Sequence, residues 1–263
     1  MERGIGNEGE QLSLREFTKR LIWPGPDYGT RIRYGLRRRF LRGQNISTLD
    51  VGCGNGCMTI AAAERGGSAL GISLQGDALA RARQVCQRLG MSPTQCEFKE
   101  MNVYDLADSA TGSSIPQFDQ IILFEVLEHL YHDNLGLDAC VKHLKTDGWV
   151  HITVPNRDSH WHFEGVNRFE NGQHVRHGYT FEELEALLWR HGLEPIDRLG
   201  VGGLGTVWGF LAVIWTGKLL GDGGRVIAFL LTWPIVPLLN LIPCRPWSLY
   251  VLAAKREQRL NGS

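Results

Sequence analysis

Apolar and polar positions follow two rhythms along this chain. Short apolar runs bounded by glycine or polar turns predict buried strands over 47–51, 68–74, 95–103, 118–124, 149–154 and 248–255. Between them, apolar residues recur at helical spacing over 57–65, 77–89, 135–144 and 180–190. Punctuation agrees with that division. Gly66-Gly67, Gly90 and Gly192 stop three of the helices, and Asp77 is placed to cap the second. Thr180 with Glu183 three residues on predicts a capping box for the last. Strands alternating with helices predict an α/β fold, a doubly wound, mostly parallel sheet covered on both faces.

Two stretches depart from this rhythm. Before residue 46 the pattern predicts a helical extension: an amphipathic helix over 12–22, a stop at Trp23-Pro24-Gly25-Pro26, and a second helix over 30–42. Before the last strand come two runs without any charged residue, 199–217 and 226–244, each 19 residues long. They approach the ~20 residues that span a bilayer. Glycines loosen the first run, however, and Pro234, Pro237 and Pro243 break the second. Trp208, Trp215, Trp233 and Trp247 suit an interface. Three readings follow: a monotopic membrane contact, a soluble cap that forms a hydrophobic pocket or dimer face, and a transmembrane hairpin. The first fits best. The chain thus divides into an extension (1–45), a core (46–200), an apolar helical insertion (201–246), and the last strand with its tail (247–263).

Composition sharpens the picture in three places. Glycine is 32 of 263 residues, well above the usual ~7%, and the excess falls in one loop and in the apolar insertion. Lys+Arg and Asp+Glu are both 28, which excludes a globally basic nucleic-acid binder. That balance averages unlike regions, because residues 31–42 hold six arginines, a stretch suited to anionic headgroups or to a solvated face. The six cysteines form no CxxC pair, and the first ten residues contain no apolar signal segment. A reducing cytoplasmic location, peripheral to a membrane, is the expectation.

The chemistry starts at Asp50-Val51-Gly52-Cys53-Gly54-Asn55-Gly56, between the first strand and its helix. Glycines there let a ligand approach the backbone, and the helix start offers free N–H groups. No GxxxxGK[ST] occurs, and no acid ends the second strand as a dinucleotide site would want. LDVGCGNG resembles the first motif of class I S-adenosylmethionine (SAM)-dependent methyltransferases. The resemblance continues through QFDQIILFEVLEHL at 117–130, GWVHITVPN at 148–156 and GQHVRHGYTFEELEALLWRHGLEP at 172–195. Within that class, the chain is most similar to the ubiquinone-type O-methyltransferases and their small-molecule relatives.

The resemblance implies a Rossmann-like, seven-stranded sheet and SAM as cofactor. It places the cofactor against Asp50, Gly52, Cys53, Gly54 and Gly56, then Ser73, Leu74 and Gln75, then Asn102 and Val103, and finally Phe124 and Glu125. Ser73 stands where the family usually has the acid that holds the ribose hydroxyls. GISLQ there is similar to the corresponding stretch of cyclopropane-fatty-acid synthases. Asn102 stands where an Asp often meets the adenine amino group. Glu125, Glu128 and His129 form the ExxEH that binds a divalent cation in some relatives. Six histidines, 129, 132, 160, 162, 174 and 177, follow the fourth and fifth strands. His129, His174 and His177 lie in the family-like segments and are the candidate proton acceptors.

The implied reaction is O-methylation of a hydrophobic or lipid-linked small molecule such as a quinol, a phenol or a polyketide. N- or C-methylation of a small metabolite and cyclopropane-type transfer to a lipid are the alternatives. A non-catalytic membrane adaptor on the same fold is the rival of a different class.

Overall fold

The computed structural model describes residues 24–37, 41, 44–110, 112–162, 165–170 and 172–256. The helix expected over 12–22 lies outside them. Seven strands form one sheet: β1 (Ser47–Val51), β2 (Ser68–Ser73), β3 (Cys96–Glu100), β4 (Phe118–Phe124), β5 (Leu144–Pro155), β6 (Leu193–Val201) and β7 (Ser248–Lys255). Their spatial order is β3-β2-β1-β4-β5-β7-β6. The first five are parallel, and β7 runs antiparallel to both β5 and β6. The chain goes out from β1 on one side to β2 and on the other to β4, so the crevice of the sheet opens above β1 and β4.

Alternation in the strands builds two cores. Ile121 and Leu123 join Leu49, Val51, Leu137, Leu184 and Leu188 on one face. Ile122, between them, joins Ile60, Leu79 and Phe98 on the other. A buried polar chain also crosses the sheet. Gln120 Nε2 donates to Thr48 Oγ1 (2.8 Å), and His151 bridges Gln120 Oε1 (3.2 Å) and Tyr250 Oη (3.0 Å).

Helix α1 (Tyr28–Leu36) starts two residues earlier than the pattern predicts, because Asp27 caps it by accepting from Thr30 N–H at 2.5 Å. Helices α2 (Cys57–Glu64), α3 (Gly76–Arg88), α4 (Asp133–Lys142) and α5 (Phe181–Arg190) follow their strands as the pattern requires. Gln75, not Asp77, is the residue before α3; Asp77 lies inside its first turn, where a carboxylate still meets the positive end of the helix. The Thr180–Glu183 capping box of α5 is present in both directions, at 3.2 and 3.0 Å. Strand β6 carries Glu194, Pro195, Asp197 and Arg198 and is half exposed, with a register shift at Pro195/Asp197. Proline and bulges belong on such an edge strand.

The apolar insertion is helical. Helix α6 (Leu204–Thr232) is broken at Gly221 (φ 66°, ψ −158°), and α7 (Val236–Leu239) follows. By length and composition α6 is apolar enough to cross a membrane, with mean hydropathy 1.3. The break changes that reading. Residues 204–220 rise about 26 Å and 222–232 about 16 Å, so neither half alone crosses the ~30 Å of a hydrocarbon core. The halves fold back on each other: Val213, Ala228, Phe229, Val236 and Tyr28 share one buried cluster. Glycine makes the approach possible, since a Cβ on Gly209 would sit 2.6 Å from the Tyr28 ring. Asn240 Oδ1 accepts the Thr206 N–H (2.9 Å) and closes the hairpin at its base.

Candidate active site

The loop after β1 is shaped by its backbone. Gly52, Gly54 and Gly56 all have positive φ (68°, 51° and 74°), which L side chains rarely adopt. Space is short as well. A Cβ on Gly52 would lie 2.6 Å from Val126 Cγ2, and one on Gly56 would lie 2.7 Å from the Phe98 ring. Cys53 N–H donates to Ile72 O (3.0 Å), and Asn55 Oδ1 accepts the Cys57 N–H (3.2 Å) at the start of α2.

Asp50, next to last in β1, is almost fully buried, at 3% exposure. Its Oδ2 accepts the Thr59 hydroxyl at 2.6 Å. Burial raises its pKa to about 7, against the opposing effect of that hydrogen bond. Burial beside Asp50 also holds the neighbouring thiols protonated, with Cys57 raised to about 12 and Cys53 raised further.

The rim beyond β2 and β3 is built differently. Ser73 is buried and its Oγ accepts the Gln75 N–H (3.2 Å). Gln75 is exposed, and Leu74 offers an apolar side chain to solvent at 64% exposure. Asn102 caps the short 3-10 turn Val103–Ala107: its Oδ1 accepts Tyr104 N–H and Asp105 returns the bond. One lone pair of that oxygen is therefore already used, while Val103 is buried beneath.

On the other side of the crevice Phe124 packs edge-on against Tyr250 (6.4 Å, 81°). Glu125 is a non-glycine residue at φ 55°, held there by its N–H to Thr153 O (2.9 Å). Such strain gathers at functional positions. Its Oε2 lies 3.6 Å from Arg33 of α1, and its Oε1 is buried with no hydrogen-bond partner.

Among the described residues, one group of three metal-ligating side chains converges: Glu128, His129 and His174. Glu128 Oε1 is 3.8 Å from His129 Nε2 and 3.9 Å from His174 Nε2, and the imidazole rings stand 4.7 Å apart. Glu128 is fully buried, and His129 Nδ1 is buried without a hydrogen-bond partner. Two backbone bonds hold the His174 loop: Val175 N–H to Glu128 O (2.9 Å) and Asn167 N–H to His174 O (2.7 Å). One carboxylate and two imidazoles within reach of one point fit a divalent ion of the zinc or first-row type.

Of the expected group of Glu125, Glu128 and His129, the last two meet each other and His174, while Glu125 faces Arg33. His177 is exposed and pairs instead with His162, 5.1 Å between rings. It lines a separate cavity of about 660 Å³ with Tyr131, Arg157 and Arg176. Thr59, Val126 and Arg33 also shape the site without having been singled out from sequence. The first two are ordinary helix and loop residues, and Arg33 lay hidden in a basic run.

The model for a methyltransferase domain matches residues 28–197. The chain belongs to that family. It carries a methyltransferase domain over nearly two thirds of its length. Two ubiquinone biosynthesis O-methyltransferases are among its similar relatives. That of Methylococcus capsulatus is 32% identical over 126 residues, 46% of this chain and 50% of the relative. That of Bordetella avium is 30% identical over 169 residues, 61% of this chain and 66% of the relative. The methyltransferase thus spans about half to two thirds of the length of these relatives.

Solved structures agree on the fold. A putative sarcosine dimethylglycine methyltransferase from Galdieria sulphuraria superposes with TM-score 0.58 at 13% identity, covering 93% of this chain and 88% of that one. The 1,6-didemethyltoxoflavin-N1-methyltransferase of Burkholderia thailandensis, with S-adenosylhomocysteine bound, gives 0.55 at 19%, covering 92% and 84%. The [4+2]-cyclase SpnF gives 0.59 at 18%, covering 86% and 80%. A cyclase among these neighbours shows that the fold by itself does not fix the reaction.

Proposed function

We propose that this methyltransferase transfers the SAM methyl group to a hydroxyl on a hydrophobic small molecule of quinol or phenol type. The relatives named as ubiquinone O-methyltransferases support the acceptor class. The observation that carries the reading is the Glu128–His129–His174 cluster after β4, its carboxylate buried and its two imidazoles half-buried, where open α/β sheets bind ligands.

SAM brings a methyl already activated on a sulfonium. The chain's task is alignment and removal of one proton. Asp50 and the backbone of Gly52, Cys53, Gly54 and Gly56 take the methionine end, where positions 52 and 56 leave no room for a Cβ. Ser73, Leu74 and Gln75 face the ribose, and Asn102 and Val103 face the adenine. Phe124 and Glu125 close the opposite wall. Glu125 Oε1, buried without a hydrogen-bond partner, is a ready acceptor for a cationic group. His129 or His174 receives the acceptor's proton, and Glu128 stabilises the resulting imidazolium.

The same three side chains, Glu128, His129 and His174, would hold a divalent cation, which lowers the pKa of a hydroxyl bound to it. Residues 46–200 with the last strand form the catalytic core in this reading. Residues 201–246 form a contact with a membrane surface that brings the enzyme to apolar acceptors from the cytoplasmic side.

A SAM-consumption screen against quinols, phenols and lipid extracts, read for a 14-dalton mass gain, tests the acceptor. Exclusive gain on amines or alkenes would refute it. For the cluster, His174→Gln is expected to lower kcat at least about 100-fold while SAM affinity holds. Activity surviving excess chelator removes the cation but not the base.

A further inference from the structure

Helix α1 touches two things at once. On one side it is bolted to the apolar hairpin. The Tyr28 ring is buried 5.2 Å from Phe229, and its hydroxyl is 2.7 Å from Thr232 Oγ1. The Arg31 guanidinium lies over both Phe229 (4.3 Å) and Trp233 (4.9 Å). On the other side the same segment reaches both loops that frame the crevice. Arg33 Nη1 meets Glu125 Oε2 at 3.6 Å, and Pro24 O accepts from Asn55 Nδ2 at 3.3 Å. Residues 24–37 are therefore a strap from the hairpin to the cofactor mouth.

The outer face of the hairpin is apolar and open. Leu219 and Leu220 sit just before the break at 78% and 70% exposure, with Trp215 and Leu231 beside them at 60% and 68%. Charge selects the occupant. Apart from Arg33, which Glu125 engages, residues 24–37 and 201–247 contain Arg31, Arg37, Lys218, Arg225 and Arg245 against Asp27 and Asp222, a net +3 in a chain whose total is zero. Exposed Trp and Leu with surplus cations fit an anionic lipid surface.

We propose that the α6–α7 hairpin docks on anionic lipid and that α1 passes this docking on to the cofactor mouth, so that lipid and cofactor bind with positive linkage. The inference rests on the membrane-contact reading above. The strap's polar hold on the mouth includes one ion pair and one hydrogen bond; its second half packs on the sheet through Leu36 and Tyr34, and its first half is anchored by the Tyr28 cluster. Lipid that fixes the hairpin also fixes that cluster and keeps the strap seated over the glycine loop. Ordering already accomplished by the first ligand is not required of the second. The effect is reciprocal by thermodynamic necessity.

The test uses the full chain with S-adenosylhomocysteine as probe. Calorimetry is run without lipid, with phosphatidylcholine vesicles, and with vesicles containing phosphatidylglycerol; flotation is measured in parallel. The expected result is a Kd lowered at least about fivefold on anionic vesicles only, and vesicle binding tightened by the same factor when the probe is saturating. Tyr28→Ala should still float and lose the shift. Tyr28→Phe, which keeps the packed ring and removes only the hydroxyl, should lose part of it should the alanine variant fail to fold. Flotation with an unchanged Kd overturns the linkage and leaves the membrane contact standing. Failure to float overturns both. A dimer that buries the hairpin and does not float assigns that face to a second copy.

Discussion

Asp50 is an almost fully buried carboxylate, and burial sets how its proton affects stability. Its pKa in the fold is about 7, well above the ~3.9 of an unfolded chain. Below pH 4 both states carry the proton and the group is neutral in its effect. As pH rises from about 4 to 7 the unfolded chain releases the proton while the fold retains it, so stability falls, and above 7 the loss is complete. Cofactor-free protein is therefore expected to melt progressively lower between pH 5 and 8. Asp50→Asn should flatten that slope and melt above the parent at pH 8. Parallel melting curves for the two proteins would refute the assignment. Thr59 is the residue that keeps the ionised form attainable, through its 2.6 Å hydrogen bond, which matters if the carboxylate meets a cationic ligand group.

At the scale of elements, the hairpin shows how glycine can be indispensable at one position and idle at another. Gly209 lies against Tyr28 and Val236, and a Cβ there would meet Val236 Cγ2 at 2.9 Å as well as the Tyr28 ring. Gly223 lies in the second half of the same helix with nothing within 4 Å of its would-be Cβ. Helix propensity favours alanine at both, by up to about 1 kcal/mol. At Gly209 overpacking, typically about 1–3 kcal/mol, outweighs it. Urea denaturation should find Gly209→Ala less stable by about 1 kcal/mol and Gly223→Ala more stable by a similar amount. Two changes of the same sign would mean that the halves of α6 do not pack as described.

What could be read from sequence follows the same logic of constraint. Parallel strands buried on both faces must be apolar throughout, so β1, β2, β4 and β5 announce themselves. Strand β6 does not, because an edge strand with Pro195 and alternating charges looks like a loop. The glycine loop is legible since its backbone demands glycine at 52, 54 and 56. The meeting of His174 with Glu128, 46 residues earlier, is a tertiary event that the local ExxEH spacing does not show. Arg33 reads the same in a basic run whether it faces solvent or Glu125.

For the whole molecule, the decisive matter is whether the hairpin serves the enzyme from outside the active site or from within it. A cap lining the acceptor pocket and a foot on the membrane would both expose apolar residues before ligand binds. They differ in what depends on Leu219 and Leu220, which sit just before the break and are the most exposed large apolar residues of α6. Replacing both with serine removes about 3–6 kcal/mol of potential apolar transfer, enough to weaken vesicle binding by at least tenfold. A foot predicts that this Leu219→Ser, Leu220→Ser variant no longer floats with anionic vesicles. It also predicts loss of kcat/KM for a long-chain quinol delivered in those vesicles, with full rates retained on a short-chain, water-soluble analogue. A cap predicts that rates on both acceptors fall together, whatever happens to flotation. Assaying the two acceptors with one variant separates these cases, because the delivery of an acceptor depends on the bilayer and the transfer step itself does not.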